Sequence, residues 1–316
     1  MPLSTTQYYV DPALTQISLA YRNDPDQFIS EVVAPVIEVP KITGWIWKYG
    51  TENLKKPTDT TRTGFSKTKI TNFSRTKMAY GPLLEHDLKI QLSKDELEMT
   101  DSPLDAQRDA VLHLNEQMAI EKEINLANTL SNTSLLTNNV NLGTDNTKQW
   151  STYASSHPFL DIVAGVQKMR KTGLKSPNTI IMSSDVWAQL QNHPDLLDRV
   201  KFSTLGVLTE ELFITLMKPQ GISRLVIANA VYDNAAEGLT ASNTFIWGKH
   251  CWLAYITGTP ALNSLNGAYT LTKQNGRYVD TWTDQDEKAL NIRNNDYYQQ
   301  YVVGPEAFYL IQNAVV

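Results

Sequence analysis

The residues best suited to chemistry are few and scattered. His250 precedes Cys251, the only thiol in the chain, and an imidazole beside a thiol can generate a thiolate nucleophile. Neighbours on a strand point to opposite faces, so this pair is not expected to meet. Asp284, Asp286 and Glu287 form an acidic knot. It lacks the glycine and terminal glutamate of a calcium loop and reads as an exposed turn. Asp195 and Asp198, after His193-Pro194, read as capping and solvating a turn, and His113 sits in a helical run where packing or exposure is expected of it. The five histidines (86, 113, 157, 193 and 250) have no metal-ligand spacing, and no phosphate loop, G-x-G-x-x-G or H-E-x-x-H occurs. No catalytic residue, metal or cofactor is therefore expected.

Recognition is the other chemistry available. Trp45, Trp47 and Tyr49 alternate with Ile46 and Lys48. Aromatics interleaved with bases can stack single-stranded nucleic acid, but tryptophan and tyrosine are equally enriched at protein interfaces. The interface is preferred, because the basic residues are confined to one stretch. Residues 41 to 80 hold nine Lys or Arg against two acids, whereas residues 85 to 109 hold eight acids against three bases. A basic projection and an acidic platform in one chain suit contact between identical copies. The candidate contact residues are Trp45, Trp47, Lys67, Lys69, Arg75 and Lys77 on the basic side, with Asp95, Glu96, Glu98, Asp101 and Asp105 on the acidic side.

These residues must be positioned by the elements around them. The run from Ser102 to Ser131 predicts one long helix: Ser102 caps it, Pro103 suits its first position and Asp105 completes a capping box. Leu104, Val111, Leu114 and Met118 recur at helical intervals, and Ile124, Ala127 and Leu130 continue the stripe. Residues 93–100 predict a short helix capped by Ser93 with Glu96. Before it, a strand at Trp45–Tyr49 and a second from Lys67 to Lys77 predict a projecting hairpin whose faces are too polar for a core. Residues 1 to about 40 carry little apolar content and three proline breaks, so they predict an arm that lies along something else. Beyond Trp150 helices and short apolar strands mix. Asn275-Gly276 reads as a hairpin turn, and Ala307–Ile311 as a closing strand.

Composition narrows the class further. The chain has 316 residues, 41% hydrophobic content and a formal charge of −5, which suits a folded protein and argues against whole-surface binding to nucleic acid. One cysteine excludes an internal disulfide, and no window approaches a membrane span.

The run P-N-T-I-I-M-S-S-D-V-W-A-Q-L-Q-N-H-P-D-L-L-D-R-V-K-F, from Pro177 to Phe202, resembles tailed-phage major capsid proteins of the Hong Kong 97-type fold. The likeness continues through Leu208–Met217, Leu225–Ala228, Tyr232–Ala235, Ile246-Trp247-Gly248 and Gly304–Phe308. Upstream, Val33–Pro40 is similar to the family's N-terminal arm. The resemblance implies an α+β fold with an arm at 1–40, an extended loop at 41–84 and a peripheral domain at 85–149 whose spine helix is 102–131. It further implies an axial domain mainly at 150–270 and return strands of the peripheral domain at 271–316. The implied function is a shell of pentamers and hexamers around packaged double-stranded DNA, in a virion assembled in the host bacterial cytoplasm. Implied partners are a portal, a decoration protein and a separate scaffolding protein, the last because the arm starts almost at Met1. Some relatives cross-link lysine to asparagine; Lys67 and Lys69 lie in the corresponding loop, and no bond is expected. Two other readings stand beside this one: an encapsulin-like nanocompartment shell, and a hydrolase using Cys251 with His250.

Overall fold

A computed structural model describes residues 9–20, 28–48, 60–62, 64–65, 67–68, 70, 76–99, 106–145, 147–172, 175–201, 207–236, 238–261 and 266–316. The chain runs β1 (Tyr9–Val10), α1 (Pro12–Ala20), α2 (Ser30–Val33), β2 (Val36–Val39), β3 (Gly44–Lys48), β4 (Thr76–Tyr80), β5 (Leu84–Ser93), α3 (Lys94–Met99) and α4 (Ala106–Ser131). It continues through β6 (Asn139–Asn141), α5 (Pro158–Thr172), β7 (Thr179–Ser183), α6 (Ser184–Gln191), α7 (Pro194–Val200), α8 (Glu210–Met217) and β8 (Arg224–Ala228). Strands β9 (Val231–Asp233), β10 (Asn243–Phe245), β11 (Cys251–Ala254), β12 (Ala268–Lys273), β13 (Tyr278–Asp284), β14 (Ala289–Val302) and β15 (Phe308–Gln312) complete it.

Two large sheets share one long helix. The five-stranded sheet has the order β6-β15-β11-β7-β8. Its strands are short continuous apolar runs, as expected where both faces are covered. Ile180, Met182, Cys251, Leu253, Tyr309 and Ile311 turn to one side, into a core shared with Ile162, Val166, Leu190 and Phe213 of α5, α6 and α8. The alternate residues Ile181, Trp252, Ala254, Phe308 and Leu310 turn to the other side, against Leu126, Ala127 and Leu130 of α4. The second sheet has the order β1-β13-β14-β12-β2, with β5 also paired to β14. Its apolar residues Ile90, Leu92, Val279, Leu290 and Ile292 meet Ala110, Val111 and Leu114 at the other end of α4. With 26 residues, α4 is about 39 Å long at ~1.5 Å per residue. One half closes each sheet.

The arm is ordered by what it lies along. Asp11 caps α1 by accepting from the Ala13 and Leu14 N–H groups at 2.8 and 3.1 Å, and Leu14 and Ile17 join the Val111 cluster. Ile29, Val33 and Ala34 pack with Leu126 and Leu130. Then β2 adds a parallel strand to β12.

Three expectations need correction. The helix is described from Ala106, so the proposed caps Ser102, Pro103 and Asp105 lie outside the described residues. Asn275-Gly276 does not turn a hairpin, because β12 and β13 run in one direction along β14. From Thr272 to Tyr278 the chain takes six steps while β14 takes three, from Tyr298 to Asn295, so the Asn-Gly pair makes a bulge in one long strand. Asn275 accordingly adopts φ 55°. The actual hairpin turns between Asp284 and Ala289. Finally, Phe308–Gln312, grouped from sequence with the return strands at 271–316, pairs with β11 and β6 in the other sheet.

Candidate inter-subunit surfaces

The projecting hairpin is built from β3 and β4, with Ile46 opposite Met78 and Trp47 opposite Lys77. Its inner face is anchored: Ile46, Met78 and Tyr80 pack on Tyr269, Leu271 and Val303. Tyr80 lies flat over Gly44, where a Cβ would come within 2.5 Å of its ring. The outer face carries Trp45, Trp47 and Lys77. Trp45 is 64% exposed, and the Lys77 ammonium stands 5.4 Å from the Trp47 ring centroid, a cation–π geometry.

The return strand is therefore Thr76–Tyr80, not Lys67–Lys77. A lysine–threonine alternation has strand texture on either face, whereas Met78 and Tyr80 supply the inward side chains that set register. Lys67 is exposed and lies in no strand, and Lys69 and Arg75 lie outside the described residues. Phe65 and Ile70, at 107% and 92% exposure, stand fully in solvent.

The acidic side follows β5. Ser93 and Glu96 form the expected capping box: the Ser93 N–H donates to Glu96 Oε2 at 2.8 Å and the Glu96 N–H donates to Ser93 Oγ at 3.2 Å. Glu96 thus starts α3 as well as carrying charge. Glu98 lies 3.4 Å from Lys94, one turn back, and both remain largely exposed. Asp95, Glu98, Asp284 and Glu287 rim an open groove of about 860 Å³ with Leu97 and Leu290 in its lining. In the acidic knot, Asp284 Oδ1 accepts from the Asp286 and Glu287 N–H groups, a turn-forming role. Asp101 and Asp105 lie outside the described residues.

Inside the subunit, α4 carries polar residues that sequence reasoning passed over. Glu123 is fully buried. Its carboxylate accepts from the Ile29 and Ser30 N–H groups at 3.0 and 2.8 Å, and from Trp247 Nε1. It clasps the start of α2 and the loop after β10 to the helix. Burial pushes its pKa up, opposed by these N–H donors. Beside it, Lys122 pairs with Glu31 at 2.9 Å. One turn and a half earlier, Asn115 Oδ1 accepts from Ser18 Oγ, Asn294 Nδ2 and Arg277 at 3.0, 2.7 and 2.6 Å. That network ties arm, helix and bulge. The signal was available: Asn115 and Glu123 fall in the same stripe as Val111, Met118 and Leu126.

The nucleophile candidates are held apart. Cys251 is completely buried, and burial raises its thiol pKa. His250 accepts from the Asn313 N–H at Nδ1, 3.0 Å away, and sits edge-on to Trp252. His193 is a second imidazole beside a hydroxyl, 2.9 Å from Ser156 Oγ. Its Nδ1 accepts from the Asp195 N–H at 3.1 Å, which leaves the ring proton on Nε2, facing the serine. Ser156 in turn donates to the Thr152 carbonyl at 2.8 Å. An imidazole already protonated on that nitrogen cannot take the serine proton. Asp195 and Asp198 pair with Arg199 and Lys201 at the surface, and His113 is exposed. Among the described residues no group of three or more His, Cys, Asp or Glu could hold a metal ion, and no helix is long and apolar enough to cross a membrane.

No protein-family model matches the chain. It is 28% identical, over 96% of its length and 95% of the other, to the major capsid protein of Burkholderia phage BcepMu. Among solved structures it resembles a phage-related protein from Bordetella bronchiseptica RB50, with a TM-score of 0.75, 20% identity and 98% of both chains covered. It also resembles the capsid of cyanophage P-SCSP1u, with a TM-score of 0.60 and 9% identity over 93% of this chain and 90% of that one. The SrpI encapsulin of Synechococcus elongatus PCC 7942 shares the fold at a TM-score of 0.53 and 13% identity, covering 96% and 95%. Fold alone therefore does not separate a viral shell from a cellular one, and the end-to-end sequence similarity does. Together they support the function of a phage major capsid protein, a structural component of a multimeric virion shell.

Proposed function

We propose that copies of this chain close an icosahedral shell of pentamers and hexamers around packaged double-stranded DNA. In this reading the fold is of the Hong Kong 97 type. The hairpin at 41–84 is the extended loop, α4 is the spine, residues 150–270 form most of the axial domain, and the arm at 1–40 crosses to the peripheral sheet. The basic loop lies on the acidic residues Asp95, Glu96 and Glu98 of a neighbouring copy. Assembly takes place in the host bacterial cytoplasm with a separate scaffolding protein, a portal fills one vertex and a decoration protein binds the finished shell.

The observation that carries this is the division of the hairpin into two faces. Ile46, Met78 and Tyr80 anchor it, while Trp45 is presented to solvent beside Lys77. An exposed tryptophan next to a lysine on a projecting ribbon is the composition of an interface anchor. Negative-stain electron microscopy of the expressed chain, with size measurement, tests it. Closed shells of megadalton mass are expected; a stable monomer under all assembly conditions would sink the proposal.

A further inference from the structure

Strand β5 has a partner on one side only. All ten of its residues pair with β14, from Leu84 opposite Tyr298 to Ser93 opposite Ala289. Among the described residues no strand pairs along its outer edge. Its even-numbered side chains face α4: Ile90 and Leu92 join the Val111 cluster, and His86 lies 3.4 Å from Glu121. At the outer margin of that face Leu84 and Leu88 stay 51% and 40% exposed. The odd-numbered side chains are polar, with Asp87 3.8 Å from Arg293 and Gln91 donating to Glu287 at 2.9 Å.

A long open edge with apolar side chains is a template for another strand. We propose that β5 pairs antiparallel with β5 of a second copy, about a two-fold axis through Leu88. The inference rests on the shell reading and names one of its contacts. Directly opposite residues of an antiparallel pair share a face, so the sequence L-E-H-D-L-K-I-Q-L-S decides the register. Centred on Leu88, Leu84 meets Leu92 of the second copy, His86 meets Ile90, and Leu88 meets itself. On the other face Asp87 meets Lys89 and Glu85 meets Gln91. Centring on Asp87 or Lys89 instead sets a charge against its own copy. The basic stretch 67–77 fits this edge less well. Its apolar residues Ile70 and Phe73 have opposite parity, so an extended strand cannot lay both over Leu84 and Leu88. Pairing the two edges continues one sheet through two subunits, with both α4 helices on the same side.

Cysteine cross-linking of assembled full-length chain tests this. The native Cys251 is buried and does not compete. Leu88→Cys places two thiols on the axis, and the double variant Glu85→Cys with Gln91→Cys places two pairs in the same register on the polar face. After mild oxidation most of the chain is expected at twice its 35.5 kDa mass on a non-reducing gel, returning to single mass with reductant. Should Leu88→Cys fail to assemble, the double variant decides. Normal particles that give no dimer with either variant overturn the pairing and leave the shell reading standing. Cross-linking of Leu88→Cys to Lys67→Cys instead of to itself overturns it in favour of the loop. Absence of particles from the unmodified chain removes the shell reading, and this contact with it.

Discussion

The two sheets differ in what they leave uncovered. In the β6-β15-β11-β7-β8 sheet every residue of β7 and β11 is buried, and both faces meet apolar clusters. In the other sheet one face meets α4, and the opposite face carries charge. There Arg293 makes a fork of 3.0 and 2.6 Å to Asp280, with Lys89 and Asp87 on the same side. A sheet with both faces closed has only its own subunit to stabilise. A sheet with one polar face and an open ten-residue edge has groups left over for neighbours. The helix that spans both, α4, couples the stability of the first to the presentation of the second.

The sharpest test of that division is a pair of tryptophans. Trp252 is fully buried in the closed sheet and donates from Nε1 to the Leu130 carbonyl at 2.9 Å. Trp252→Ala should cost roughly 3–5 kcal/mol, the usual range for deleting a buried large aromatic. That is a large share of the ~5–15 kcal/mol of a typical fold. Trp45→Ala, on the hairpin, should change subunit stability by less than about 0.5 kcal/mol while lowering shell yield. Urea midpoints of dissociated subunits compare the two; equal losses would break the division.

Glu123 tests the coupling itself. Glu123→Ala leaves three buried N–H groups without an acceptor, at about 1–3 kcal/mol for an unsatisfied group, and should cost roughly 3 kcal/mol in all. Limited proteolysis should then cut first in the arm, since Ile29 and Ser30 lose their acceptor. An arm that stays protected would show that the apolar contacts of Ile29 and Val33 hold it alone.

How much of this was legible depends on range. The strands β7, β8 and β15 were read from sequence because a fully buried strand is a short apolar run between turns. The Ser93–Glu96 capping box was read because its chemistry is local. The Asn275-Gly276 bulge was misread as a turn, because its outcome is set by β14, some twenty residues on. The hairpin strand was misplaced because Lys67–Lys77 has alternation without an apolar face, and the pairing that wins lies three residues past it at Met78 and Tyr80. Asn115 and Glu123 were missed since polar residues on a helix are normally solvated; only their place in the apolar stripe marks them. The aromatic and basic outer face at Trp45, Trp47 and Lys77 was identified correctly, with its geometry left to the fold.

A smaller effect follows from protonation. Burial raises the Glu123 pKa above the usual 4.5. The folded carboxyl thus holds its proton more tightly than the unfolded one. By linkage, its contribution is fully present below the unfolded value and is lost as pH rises through the folded value. The stability difference between the native chain and Glu123→Gln should accordingly shift against the native chain as pH rises from about 4.5 upward. Denaturation midpoints of both chains across that window check it; parallel curves would mean that the three N–H donors fully offset burial.

The smallest change in the subunit should accompany the largest change in assembly. Lys67 and Lys77 are exposed, and Lys77 touches its own chain through the Trp47 ring. Reversing both to glutamate should move subunit stability by about 0.5 kcal/mol or less, as surface substitutions do. Across an interface the same reversal sets like charge against Asp95 and Glu98, where juxtaposition costs far more than an exposed pair yields. Shell yield should fall sharply, and recover in part at high salt, since screening shortens the reach of exposed charges to roughly 3 Å at 1 M. Light scattering during assembly over a salt series reads this out. Shells that form normally from the reversed chain would move the docking role from charge to Trp45 and Trp47. Subunits that unfold would instead mean that the hairpin stabilises its own subunit, erasing the distinction between the two sheets.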